Sequence, residues 1–399
     1  MTPSVTDSEL TIIITICTLL LIAYLFDFTS SRTKIPSVIF LLLLGWLVRQ
    51  ITVFFNLQLP DLSSALSVLG TIGLILIVLE GSLELELSRS KFKLIGKSLL
   101  GSLVPMLALA FSFMYLFHAS GALSLKNSLV NAIPLCVISS AIAIPSVRSL
   151  STSEKEFIIY ESSFSDIFGV LLFNFIALND VFDAELFGRF SLQLLSIAIV
   201  SLLATIGLSV LLSKIDHHIK FVPIILLVIL IYAVSKAYHL PALLFILLFG
   251  LFIGNLDKLR RFKWIERFKP DELNTEVQKF KDLTIEATFL MRVLFFLLFG
   301  YSIETREILN TETLTWAGGI VCAIFIFRVV QLKLSRLPLR PLLFIAPRGL
   351  ITILLFLSIP EVQRITLVNR SLIIQVILLT AIVMTIGLIR GKKKDEPAI

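Results

Sequence analysis

The chain has 399 residues, of which 57% are hydrophobic and only 16% charged, with a mean hydropathy of +0.96. Soluble domains carry about 45–50% apolar and about 25% charged residues, so these proportions exclude a water-bathed globular enzyme and describe a polytopic membrane protein. The net charge of +7 does not point to nucleic acid, because the Lys and Arg residues fall in short connections between apolar runs.

A helix needs about 20 apolar residues to cross a hydrocarbon core roughly 30 Å thick. That yardstick predicts about thirteen spans, near residues 9–28, 36–56, 63–83, 94–117, 127–149, 156–178, 188–213, 220–238, 240–255, 283–303, 313–331, 338–360 and 371–390. None alternates with period two between turn signals, which excludes a β-barrel. The residues before the first span contain no Lys or Arg and no small-residue cleavage site follows, so it is expected to be a retained helix. Cys17, Cys136 and Cys322 all lie in apolar segments, where free thiols are expected.

The fifth span contains Ser139-Ser140-Ala-Ile-Ala-Ile-Pro145-Ser146. Pro145 has no N–H and its ring clashes with the carbonyl of Ala141, so the helix is predicted to break there. The sixth span carries two acids, Glu161 and Asp166. A charged group near a bilayer centre costs roughly 2.5–3.5 kcal/mol on insertion scales and marks an ion pathway or a proton relay by default. Five residues at about 100° each separate the two acids by about 140°, so they face different neighbours. Asp166 shares its face with Ser162, Ser163, Gly169 and Val170. Such hydroxyls, with Ser165 and Ser140 nearby in sequence and in the broken span, offer oxygen ligands to a desolvated monovalent cation, while Gly169 permits close helix approach.

The long hydrophilic connection, 255–282, mixes Leu256, Leu259, Phe262, Trp264, Ile265 and Phe268 with Lys and Arg. It reads as a basic amphipathic helix on the cytoplasmic surface, against anionic lipid. The twelfth span contains Ala346-Pro347-Arg348-Gly349, a second predicted break and a cation in mid-membrane. Arg348 is the expected partner of Glu161, since Arg stays charged when buried and its fork fits a carboxylate. Residues 391–399 form a short cytoplasmic tail. About twenty-five basic residues fall in connections on one side and seven on the other, which predicts an outside N-terminus and a cytoplasmic C-terminus.

Broken helices at corresponding places in 9–178 and 220–390 suggest two inverted repeats joined by the span at 188–213, with the transport site where the breaks meet. Freed carbonyls there must be buried in protein or line a polar cavity. His118, His217, His218 and His239 sit at span ends and loop edges and form no catalytic constellation, so neither an enzyme nor a cofactor is expected.

The stretch Glu161-Ser-Ser-Phe-Ser165-Asp166 resembles the acidic motif of the sodium/proton exchangers in the monovalent cation:proton antiporter superfamily. Similar to that family also are Leu79-Glu80-Gly81-Ser-Leu-Glu84-Leu, the run from Phe289 through Arg292 and Gly300 to Ile303, and Ala346-Pro347-Arg348-Gly349-Leu350. The resemblance implies an all-α sodium/proton antiporter fold with crossing discontinuous helices, working as a homodimeric elevator. It implies that Asp166 is the transported-ion site and that Glu161 and Arg348 are a stabilising pair. Two departures stand out. The family's Asn before the Asp is Ser165, and its Thr-Asp-Pro is matched by Ala143-Ile144-Pro145. The Ser139-Ser140 stretch resembles the potassium/proton efflux branch of the same superfamily.

Exchange of Na⁺, with K⁺ or Li⁺ as alternatives, for H⁺ at Asp166 is therefore the expected function. With a single carboxylate at the site, one-for-one electroneutral exchange is the simplest stoichiometry. A Na⁺-coupled organic solute symporter, with Arg348 on the substrate, and a transport-inactive membrane sensor or scaffold are the alternatives.

Overall fold

The computed structural model describes residues 5–33, 35–55, 63–85, 91–121, 124–147, 150–179, 184–214, 221–238, 240, 242–255 and 270–390. Among these residues there is no strand, and fifteen α-helices follow one another with two short 3-10 turns. They are α1 (Val5–Thr33), α2 (Ser37–Phe54), α3 (Ser63–Glu84), α4 (Phe92–Ala119), α5 (Leu125–Cys136), α6 (Ser140–Ser146), α7 (Thr152–Ala177), α8 (Ala184–Lys214), α9 (Phe221–Ala237) and α10 (Ala242–Ile253). After these come α11 (Pro270–Ser302), α12 (Thr305–Ile308), α13 (Thr311–Leu334), α14 (Leu350–Leu357) and α15 (Arg370–Arg390), with the 3-10 turns at Leu342–Phe344 and Glu361–Gln363.

Each of the thirteen segments expected from hydropathy falls on a helix or a helix pair. Among the described residues nine stretches are long and apolar enough to cross a membrane by length and composition. The remaining four segments correspond to α7, α9, α10 and the interrupted stretch that ends in α14. Their length or polarity sets them apart: α9 and α10 are short, α7 carries Glu161 and Asp166, and α14 is only the second half of a broken helix. Most of the expected amphipathic connection, 256–269, lies outside the described residues, as does the tail, 391–399. Its last part does not form a separate helix, because α11 runs unbroken from Pro270 into the span expected at 283–303.

The helices sort into two groups by packing. In one, α2 and α3 pack on α11, α10 packs on α3, α8 and α9, and α1 lies on α2. In the other, α4, α5 and α7 pack together with α6, while α13 packs on α15 and α4 and α14 on α5. Helix α3 is the seam, touching α6, α7 and α14 of the second group. The first group is held tightly by glycines: a Cβ on Gly45 would strike the backbone of α11 at Leu297 and Tyr301, and one on Gly300 would strike the backbone of α2 at Leu42. Outward-facing side chains on α1 (Ile13, Ile14), α8 (Leu195, Leu203) and α9 (Leu226, Leu230) are large and apolar, as a hydrocarbon surround requires and water would not favour. All three cysteines are free, as expected.

The short helix α12 connects the two groups. Glu304 and Glu307 close a capping box at its start, satisfying amides that would otherwise lack partners. Arg49 of α2 pairs with Glu304 at 3.2 Å, while Arg370 of α15 pairs with Glu307 at 3.2 Å and donates to the Ser302 carbonyl at 2.5 Å. Asn310 caps α13 by accepting from the amides of Glu312 and Thr313.

Candidate functional site: two crossing helix breaks around Asp166

The two interrupted helices meet at their breaks. Between α5 and α6 the residues Val137–Ser139 are non-helical, and between the turn at Leu342–Phe344 and α14 the same holds for residues 345–349. The Ser139 amide donates to the Pro347 carbonyl at 2.9 Å, joining the breaks directly. Pro347 and Gly349 lie within the second break, as the sequence suggests. A side chain on Gly349 would run into Ile142 and Ser139, so glycine lets the two chains cross closely.

Pro145 is a correction. The first break falls at Val137–Ser139, and Pro145 sits near the end of the intact short helix α6. The location is set by tertiary partners for the freed backbone groups. The Ile138 amide donates to Ser165 Oγ at 2.9 Å, and the carbonyls of Leu135 and Cys136 accept from Arg348 Nε and Nη2 at 2.9 and 3.3 Å. Buried backbone groups need such partners, and this register supplies them.

Asp166 sits on α7 opposite the start of α6 and is 2% exposed. Its Oδ2 accepts from the Ser140 hydroxyl and, at 3.4 Å, from the Ser140 amide. Ser140, one of the expected cation ligands, thus lies beside Asp166. The other two expected ligands are engaged elsewhere: Ser165 with Ile138, and Ser162 with the Ile158 carbonyl one turn back at 2.8 Å. Ser140 is also the α6 residue that meets Asp166, while Ala143 and Ile144, matched by sequence to the family's Thr-Asp, come one turn later. Among the described residues no cluster of three or more His, Cys, Asp or Glu could hold a resident metal.

The expected Glu161–Arg348 pair is also corrected. Glu161 is fully buried and pairs with Arg328 Nη1 of α13 at 2.5 Å. Gln331 Nε2, one turn further along α13, donates to the same carboxylate oxygen. Arg348 instead gives Nε, Nη1 and Nη2 to the carbonyls of Leu135, Ala346 and Cys136, and its own amide donates to Thr380 of α15 at 3.1 Å. The reason lies in the breaks, whose carbonyls need a cation-borne set of donors close by. The two acids of α7 thus face different helices, as their angular separation predicts. Arg328 and Gln331 are the residues that sequence reasoning missed. A signal for Arg328 was present: once the Lys and Arg of the connections are assigned, Arg292, Arg328 and Arg348 are the cations left inside apolar spans.

Arg328, Gln331, Ser165 and Arg348 line a cavity of about 20 Å³ beside the pair, room for about one water. A larger cavity, about 220 Å³, separates the two helix groups where α3 begins and α7 ends. Thr71, Val170, Tyr232, Lys236 and Ile351 are among its walls, and Val170 is one helical turn from Asp166.

A broken-helix crossing over a buried carboxylate, in an all-helical bundle of membrane-length apolar helices, defines a secondary transporter rather than an enzyme. The comparisons agree. The family model described as "Sodium/hydrogen exchanger, transmembrane" matches residues 16–390. Two structures of the sodium proton antiporter MjNhaP1 from Methanocaldococcus jannaschii share the fold at 18% identity. One, at pH 8, has a TM-score of 0.65 and covers 96% of this chain and 99% of its own. The other, an electron-microscopy map, has a TM-score of 0.67 and covers 97% and 99%. No curated protein matches the chain. The chain belongs to the sodium/hydrogen exchanger family, and is a multi-pass membrane protein of the cation/proton antiport class.

Proposed function

We propose that this protein exchanges Na⁺ for protons across its membrane, with K⁺ and Li⁺ as the alternative cargoes, and that both ligands use Asp166. The observation that carries the reading is a buried carboxylate at the crossing of two broken helices, with one oxygen held by Ser140 and the other without a hydrogen-bond partner among the described residues. A bare carboxylate is costly in a low-dielectric interior. A proton or a monovalent cation neutralises it equally, so either loaded form can move while the unloaded form cannot. One carboxylate then gives one-for-one, electroneutral exchange. Ser140 holds Oδ2 and starts α6 with its amide toward the charge. Ser165 fixes the break, and Glu161 with Arg328 ties α7 to α13.

Alternating access is proposed as an elevator: the group containing α4 to α7 and α13 to α15 slides against the group containing α2, α3, α10 and α11. The cavity between these groups and their seam at α3 support that division. We place the N-terminus outside and the C-terminus in the cytoplasm, read residues 9–178 and 220–390 as inverted repeats around 188–213, and take the working unit to be a homodimer in the cell membrane. The organic-solute alternative loses support because Arg348 commits its donors to backbone carbonyls.

The test is pH-gradient dissipation in proteoliposomes on adding Na⁺, K⁺ or Li⁺, with the membrane potential clamped at different values. At least one cation should dissipate the gradient at a rate independent of potential. A folded protein that dissipates nothing with any of the three contradicts the proposal and favours the sensor reading. A rate that follows the imposed potential contradicts electroneutrality alone.

A further inference from the structure

Two buried oxygens on one side of α7, Ser163 Oγ and Asp166 Oδ1, have no hydrogen-bond partner among the described residues. Each residue is 2% exposed, and a spacing of three places them about one turn apart and about 60° apart around the helix. A buried helical serine ordinarily satisfies its hydroxyl on the carbonyl one turn back. Ser162 does so on Ile158 at 2.8 Å, and Ser201 does so on Ile197 at 2.5 Å. Ser163 does not. Its hydroxyl faces α3, where a Cβ on Gly81 would stand 3.1 Å from Oγ. An unsatisfied hydroxyl in an apolar interior is unfavourable, and so is a carboxylate oxygen left without a donor. Both are the oxygen ligands that a hard monovalent cation takes.

We infer that Ser163 Oγ and Asp166 Oδ1 together hold the cargo cation on the face of α7 toward α3, and that Gly81 keeps the space before the Ser163 hydroxyl open. The inference rests on the proposed role of Asp166 and deepens it. Ser140 occupies Oδ2 from the side of α6, which leaves Oδ1 for the cargo. Ser163 is then a ligand for the cation but not for the proton, since a proton on Asp166 needs no second oxygen from the chain. The position also places the cargo at the seam between the two helix groups, beside α3, where motion of one group past the other would expose it.

The test uses the full-length protein in proteoliposomes, with the initial rate of pH-gradient dissipation measured against Na⁺ concentration. Ser163→Ala removes the ligand, and Ser163→Cys keeps a similar volume while replacing a hard oxygen with a soft sulfur. Both should raise the KM for Na⁺ about tenfold, as loss of one contact to a charged group does, while the maximal rate and the thermal midpoint are retained. Gly81→Ala, with Ser163 intact, should raise the KM in the same sense by crowding the hydroxyl. A purely structural serine would alter the midpoint or the maximal rate and leave the KM alone. Wild-type KM in both Ser163 variants, alongside an inactive Asp166→Asn control, overturns this inference and spares the role of Asp166. Exchange retained by Asp166→Asn overturns both.

Discussion

Glu161 and Asp166 lie five residues apart on α7 and have different surroundings: Arg328 and Gln331 hold one, Ser140 the other. The Glu161–Arg328 pair is buried at both ends, and removing one partner of such a pair strands the other charge. That loss typically costs about 3–5 kcal/mol, more than an exposed pair contributes. Glu161→Ala and Arg328→Ala are therefore each expected to lower the thermal midpoint of the purified protein sharply and to reduce its yield. Unchanged midpoints in both variants would remove the structural role assigned to the pair. Both acids were legible in the sequence, because a carboxylate in an apolar run announces itself. The partner of Glu161 was not, since the choice between Arg328 and Arg348 depends on inter-helix distances that spacing along the chain does not encode. The broken helix decides it: Arg348 is drawn to the carbonyls of Leu135 and Cys136, leaving Arg328 for Glu161.

At the scale of elements, the two kinds of break have different origins. Pro347 lies inside its break and explains it locally. Pro145 lies in α6, and the break before it depends on Ser165, Arg348 and Pro347 meeting the freed groups of residues 135–139. A local rule therefore found one break correctly and placed the other some six residues late. Helix existence was readable from hydropathy alone, and each expected span falls on an observed element. Short halves such as α6 and α14 were not separable, because nothing in an apolar run marks where a partner helix will cross. Close helix packing was also hidden in sequence. Gly45 and Gly300 sit where α2 and α11 approach backbone to backbone, and a backbone cannot yield as a side chain tip can. Gly300→Ala should therefore destabilise the α2–α11 contact by about 1–3 kcal/mol, seen as a lower midpoint with the transported cation's KM unchanged. A midpoint equal to wild type would show that the two helices part without penalty.

For the whole molecule, the positions of the charges matter more than their number. The surface toward lipid is apolar, while Glu161, Asp166, Arg328 and Arg348 are gathered where α6, α7, α13 and the second break converge. The α12 connection, with Arg49 and Arg370 reaching it from opposite groups, joins the two halves of the proposed elevator without passing through the site. In the proposed mechanism, the paired centre of Glu161 and Arg328 stays within one group while Asp166 faces the seam at α3, and one carboxylate is carried with its ligand. The central claim is that Asp166 is the group shared by cation and proton. It is tested most directly by pH-gradient dissipation in proteoliposomes, wild type beside Asp166→Asn, with insertion and thermal midpoint verified for both. Cation-driven dissipation in the wild type and none in the folded variant is the predicted result. Near-normal exchange by Asp166→Asn would contradict the account.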